Sequence, residues 1–350
     1  MKAIVKHGSK AGAVAIEDVE KPHYSQNEVL IRVRAAGVCG SDVGAYLGKP
    51  EYEYIDTPAI LGHECAGTVE SVGTDVKSVE PDDRIALQPG SPCGACYQCR
   101  TGEPNNCPDR VPAVAAGGFA PYVVAKPDQV VSVPDDVPIE HAAITEPLAV
   151  THRAVVTKGG VSPGDSVLVQ GPGPMGVFSS LVARAAGADV VVTGLPDDAV
   201  RLETLSDLDI ETVTINSDTG EPSPEALCGR YATRNGFDVA VDATGVESGV
   251  GTAIEATRDG GTIVVIGIPS TPVTINMAEL VRSEIDLRTS HGSVTEDFFR
   301  ALELLRSPDA LPIDSIVDPA DPRRPNDAFE SFVRAETVKP LLDIDELQTV

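Results

Sequence analysis

The sequence predicts an α/β fold in two parts: a barrel-like β sheet over roughly the first 150 residues, then a doubly wound parallel sheet. Three observations predict it. Short β-prone runs broken by Gly, Pro and Asp turns fill the first part. Near residue 150 strands begin to alternate with helical stretches. A glycine-rich turn joins the first of those strands to a helix. A length of 350 residues is about two domains' worth.

The early strands are Ala3–Val5, Val29–Ala35, Ala66–Val72, Arg84–Leu87 and Tyr122–Val124, each rich in β-branched or aliphatic residues. Residues 88–118 carry Gly, Pro and Cys with little periodicity, so something other than an apolar core must hold that loop. Ser166–Gln170 is a short apolar strand, followed by a helix from about Met175 to Ala186. Asp189–Thr193, Val213–Ile215, Asp238–Asp242 and Thr262–Ile266 continue the series. Strands separated by helices imply parallel pairing through right-handed crossovers. Helices near Glu296–Leu305 and Asn326–Ala335 and a last strand, Val338–Ile344, close the chain.

Composition narrows the function. Asp+Glu number 53 against 27 Lys+Arg, a net charge of −26, which repels nucleic acid and anionic membrane alike. No apolar run reaches membrane-spanning length, and the N-terminal residues lack a signal-peptide core, so a cytoplasmic protein is expected. Asp outnumbers Glu 29 to 24 and Lys occurs only 9 times. An Asp-rich, Lys-poor surface suits a concentrated-salt cytoplasm, where screening removes the self-repulsion.

Cysteine placement carries the strongest signal. Cys93, Cys96, Cys99 and Cys107 fall within 15 residues of a Gly/Pro loop. Four clustered thiols in a cytosolic chain mean metal more often than disulfides, and zinc fits a closed four-sulfur site. An iron–sulfur cluster is the competing occupant. Binding such an ion would stabilise the loop in place of a core. A second set is dispersed: Cys39 in Gly37–Asp42, His63-Glu64 in Leu61–Gly67, and Glu146 before Pro147. A thiolate, an imidazole and carboxylates suit a catalytic zinc with an open position. Taken singly, each reads first as an ordinary buried cysteine, a turn histidine or a surface acid. A third motif, Gly171-Pro-Gly173-Pro174-Met175-Gly176, follows a strand and opens a helix, the context of a dinucleotide-binding turn.

Together these residues closely resemble the zinc-dependent medium-chain alcohol and polyol dehydrogenases, over essentially the whole chain and in family order. The resemblance implies a GroES-like catalytic domain at 1–151, completed by 289–350, and a Rossmann NAD(P)-binding domain at 152–288. It implies a catalytic zinc approached by Cys39, His63 and Glu64, with Glu146 as fourth ligand or water-holder, as in sorbitol dehydrogenases. It gives Ser41 the hydroxyl that passes the alcohol proton outward, and Ile266-Gly267-Ile268 a place beside the cofactor. It implies a homodimer or homotetramer acting on a small molecule.

Two departures stand out. Many relatives carry a relay histidine where this chain has Gly44. NAD-specific members end the second Rossmann strand with an acid, where this chain has Gly194. Gly194 would not repel a 2′-phosphate and Arg201 could meet one; Asp197 and Asp198 could instead hold ribose hydroxyls. NAD and NADP both stay open. The expected reaction takes hydride from a secondary alcohol of a polyol, sugar or sugar acid, or from the anomeric carbon of an aldose. Residues 290–294, similar to a stretch of archaeal-type glucose dehydrogenases, add weight to sugars. A threonine-type dehydrogenase is the alternative within enzymes, and a non-catalytic zinc- and nucleotide-binding protein the alternative outside them.

Overall fold

Eight strands lead the chain: β1 Lys2–Lys6, β2 Val14–Asp18, β3 Val29–Gly37, β4 Ala59–Ile60, β5 Glu64–Val72, β6 Arg84–Leu87, β7 Tyr122–Ala125 and β8 Val130–Ser132. Six follow in the middle: β9 Ser166–Gln170, β10 Asp189–Gly194, β11 Glu211–Thr214, β12 Phe237–Asp242, β13 Thr257–Val265 and β14 Asp286–Thr289. β15 Val317–Ala320 and β16 Lys339–Asp343 end it. The computed structural model describes residues 1–110, 116–216 and 218–349. It divides into two units, Met1–Glu146 with Ser293–Arg306 and Val317–Val350, and Pro147–Gly292 with Ser307–Ile316.

The first unit is built on β3. Its nine residues alternate too little to face water on either side, and seven are buried. One edge pairs antiparallel with β5; the other is shared, with β7 along Val29–Arg32 and β16 along Ala35–Gly37. The sheet runs β15-β16-β3-β5-β6-β8, and a three-stranded sheet β2-β1-β4 accompanies it. Phe329, on the helix Pro325–Val333, is fully buried and stacks on Tyr46 at 4.7 Å between ring centroids. Burying one such ring stabilises by roughly 1.5–3 kcal/mol, which ties the C-terminal segment into the N-terminal sheet.

The second unit is a six-stranded parallel sheet in the order β11-β10-β9-β12-β13-β14. Every residue of β9 is buried, as its apolar run requires of a central parallel strand. The winding reverses between β9 and β12, and ligands of such sheets bind outside the strands' carboxyl ends at that switch. Gly171 leaves β9 with φ +85°, a conformation that favours glycine, and Pro174 opens the helix Pro174–Ala185.

Candidate active site and metal centres

Strand register builds the first centre. Gly37 of β3 pairs with Glu64 of β5, so Cys39, just past one strand, and His63, just before the other, arrive side by side. One donor atom each from Cys39, His63 and Glu64 lies within 4.8 Å of the others. Asp42, fully buried on the helix Gly40–Tyr46, accepts from the Cys39 N–H at 3.0 Å and the Gly62 N–H at 3.2 Å. Its carboxylate also lies 3.5 Å from His63 Nδ1. Burial disfavours a charge on His63, but Asp42 and Cys39 outweigh it and hold the imidazole pKa well above its ordinary value. Such a negative pocket around a soft donor pair suits a divalent cation, with Asp42 orienting the imidazole behind it.

Glu64 has a second partner. Lys339 of β16 forms an ion pair with it, both side chains 1 % exposed, and donates to the Val38 carbonyl at 2.9 Å. Glu146, on the helix Thr145–His152, stands outside the three-residue cluster but within electrostatic reach. Burial, opposed by His63 and seconded by Glu64, pushes its pKa up to about 7. Ser41 sits half-buried in the first turn of its helix. Sequence reading missed Asp42 as the residue behind His63, although it closes the Gly37–Asp42 motif. It missed Lys339 altogether.

The second centre is the cysteine loop. The sulfurs of Cys93, Cys96, Cys99 and Cys107 all lie within 4.8 Å of one another. Backbone N–H groups of Cys93 and Cys96 point at the Cys107 and Cys93 sulfurs, at 3.3 and 3.4 Å. N–H groups of Ala95 and Cys96 hold the Cys93 thiol at about 7, below an ordinary cysteine. Zn–S bonds of about 2.3 Å require a tetrahedron of sulfurs roughly 4 Å apart, which this cage fits. Of the remaining cysteines, Cys65 is 2 % exposed and burial pushes its thiol up to about 12; Cys228 is half-buried.

The third feature is a crevice of about 480 Å³ at the carboxyl ends of β9, β10 and β12. Gly171, Gly173 and Gly194 line it, with Asp198, Thr244 and Asn216. A Cβ on Gly173 would meet nothing within 4 Å, so the helix N-terminus lies open to a pyrophosphate. Gly176 packs against the Gly171 carbonyl and permits the close turn. Pro174, Met175 and Gly176 form the first helical turn behind the crevice rather than its wall. Ile266, 7 % exposed, and Ile268, 71 % exposed, also lie off the lining.

Arg201 and Gly194 differ in their surroundings. Arg201 is 7 % exposed on the helix Ala199–Asp207 and is not among the residues lining the crevice. Gly194 has a steric reason: a Cβ there would stand 2.8 Å from Pro172 and 3.2 Å from Leu202. A side chain at that position would have to displace the Pro172 ring. Asp198, whose carboxylate caps the Leu195 N–H at 2.9 Å, is the one charged side chain on the described lining.

Comparisons agree with this geometry. Residues 25–135 match the alcohol dehydrogenase GroES-like domain and residues 174–307 the zinc-binding dehydrogenase domain. The chain is 35 % identical to a sorbitol dehydrogenase of Bacillus subtilis, over 82 % of this chain and 81 % of that one. It is 28 % identical to a D-arabitol-phosphate dehydrogenase of Enterococcus avium, over 98 % and 97 %. A zinc-binding dehydrogenase of Sinorhizobium meliloti, solved with NADP bound, superposes with a TM-score of 0.87 at 27 % identity, over 98 % of both chains.

Proposed function

Since the chain belongs to the zinc-binding medium-chain dehydrogenase family, we propose that it oxidises a secondary alcohol of a polyol, sugar or sugar acid, or the anomeric carbon of an aldose, and passes hydride to NAD(P)+. The carrying observation is the buried Cys39–His63–Glu64 cluster backed by Asp42. Polyols are the substrates named for its relatives, neutral in one and phosphorylated in another.

Cys39 and His63 would hold the catalytic zinc, with the Glu64 and Glu146 carboxylates at hand, and Cys93, Cys96, Cys99 and Cys107 a structural one. When bound, zinc supplies a Lewis acid that lowers the pKa of an alcohol toward about 7. Asp42 would orient the imidazole, because its carboxylate lies 3.5 Å from Nδ1. The Ser41 hydroxyl takes the alcohol proton outward. The crevice holds the dinucleotide with its pyrophosphate on the Gly173 helix end. Its carboxylate, Asp198, favours a free ribose 2′-hydroxyl and hence NAD.

The acidic, lysine-poor composition supports work in a concentrated-salt cytoplasm. We take the working form to be a homodimer or homotetramer, measurable by light scattering. The test of function is cofactor reduction in concentrated KCl, with NAD and NADP in parallel, against polyols, aldoses, sugar acids and threonine. Turnover with a sugar-derived alcohol supports the proposal. Turnover with threonine alone, or dinucleotide binding without any turnover, overturns it. Cys39→Ser should abolish turnover and leave dinucleotide binding intact; retained turnover would remove Cys39 from the metal site.

A further inference from the structure

The first unit contains a cavity of about 480 Å³ beside the helix Gly40–Tyr46, within the usual size of a small-molecule site. Lys6, Ser9, Lys49, Tyr52 and Thr57 are among the residues that line it. Lysine is scarce here, 9 residues in a chain of net charge −26, yet two of the nine face this one space.

Lys6 closes β1 and is 3 % exposed. Its ammonium donates to the Lys10 carbonyl, and no carboxylate pairs with it among the described residues. An ammonium has three donors, so two remain for a ligand. A buried charge without a counter-charge is costly, and burial lowers the Lys6 pKa accordingly. Lys49 stands exposed at the rim, and among the described residues no carboxylate pairs with it. One acid, Glu53, shares that rim and is exposed to solvent. The wall is fixed: Gly48, with φ +67°, packs on the Ser9 carbonyl so tightly that no side chain fits.

The cavity adjoins the Cys39 centre. Ala45 lines it one helical turn beyond Ser41. Tyr52 lines it too, and its ring packs on Gly44, on the helix that follows Cys39. We infer that this cavity takes the anionic group, phosphate or carboxylate, of a polyol-derived substrate whose alcohol reaches the Cys39 centre. The inference rests on the dehydrogenase reading above and narrows its substrate class to acids and phosphate esters.

The test uses the zinc-loaded enzyme at fixed ionic strength. KM is measured for a neutral polyol, its phosphate ester and the matching aldonate, in wild type, Lys49→Met and Lys6→Met. Lys49→Met, at an exposed position, should raise KM for the anionic substrates about tenfold and leave the neutral one within about twofold. Lys6→Met should do the same more strongly. Inorganic phosphate should compete with the anionic substrate. Its binding by titration calorimetry should weaken about tenfold in each variant, which gives a readout even if no alcohol of the panel is turned over. A larger loss for the phosphate ester than for the aldonate, or the reverse, identifies which anion the site was built for. Equal effects on neutral and anionic substrates, phosphate binding that does not compete, or no phosphate binding in wild type would each overturn the inference.

Discussion

Replacing Lys339 by methionine should expose how much the buried pair with Glu64 contributes. Both side chains are 1 % exposed, and the ammonium also donates to the Val38 carbonyl. Methionine keeps the apolar stem and removes the charge, leaving the Glu64 carboxylate buried without its ion-pair partner. Breaking a buried pair from one side costs about 3–5 kcal/mol. β16 adds to that sensitivity, because it meets β3 at only three paired positions, Gly37 to Ala35, next to the lysine. Urea unfolding of the metal-chelated protein should show the loss. Glu64→Gln alone should cost a similar amount by stranding the ammonium. The double variant Lys339→Met/Glu64→Gln should be well short of the sum, since neither charge remains. Added zinc should recover part of the Lys339→Met loss by supplying the missing positive charge. A single-variant loss under about 1 kcal/mol, or strict additivity of the two, would refute the claim that this pair holds the centre together.

Other expectations follow from the same structure. Cys96→Ser should cut zinc content by one ion per chain and lower thermal stability; a stable variant with unchanged metal content contradicts a structural loop. Gly194→Asp should lower stability by about 1–3 kcal/mol through overpacking against Pro172, and adding Pro172→Ala should recover it in the same melts. Asp198→Asn should narrow the preference for ADP-ribose over its 2′-phosphate severalfold in calorimetry; an unchanged ratio removes Asp198 from the selection. Asp238 accepts from the Ser166 N–H at 2.9 Å and pairs with Arg258 at 2.7 Å and with Arg234. Burial raises its pKa, but these partners outweigh it and leave it below the ordinary value. Its stabilisation is therefore present above about pH 3.9 and fades as pH falls through the lower folded value. Asp238→Asn should lose about 1–3 kcal/mol at pH 7 and show a shallower acid limb in urea midpoints between pH 5 and 2.

The sequence displayed what is local. The four-cysteine loop, the Gly171–Gly176 turn and the buried run of β9 each need their residues close together in the chain, so spacing and periodicity reveal them. β14, Asp-Leu-Arg-Thr with every residue exposed, carries no apolar signature because it edges its sheet. β15 contains a proline, tolerated for the same reason. β2 buries one residue of five. Such strands exist because a neighbour offers them a ladder, which their own residues do not announce. Lys339 belongs to the same class: nothing near it announces that a carboxylate 275 positions earlier waits for it.

Three glycines sharpen the point. Read as departures, Gly44 and Gly194 are simply missing a histidine and an acid. In the fold each is half of a pair. The Tyr52 ring occupies the space a side chain at 44 would need, and Pro172 occupies the space at 194. Gly37 completes the set, since a Cβ there would meet Glu64 and stand 3.0 Å from Lys339. At each of these glycines the space a side chain would need is filled from elsewhere in the fold. The functional question moves with the occupant. At 44 it becomes what the Tyr52 side brings to the neighbourhood of Cys39, and at 194 what the Asp198 carboxylate does on the crevice lip. Restoring the family residue by itself should therefore damage this protein. Gly44→His drives the imidazole into Tyr52, and only with Tyr52→Ala should the variant regain wild-type stability in thermal melts. Recovery without the second change would show that Tyr52 is free to swing aside.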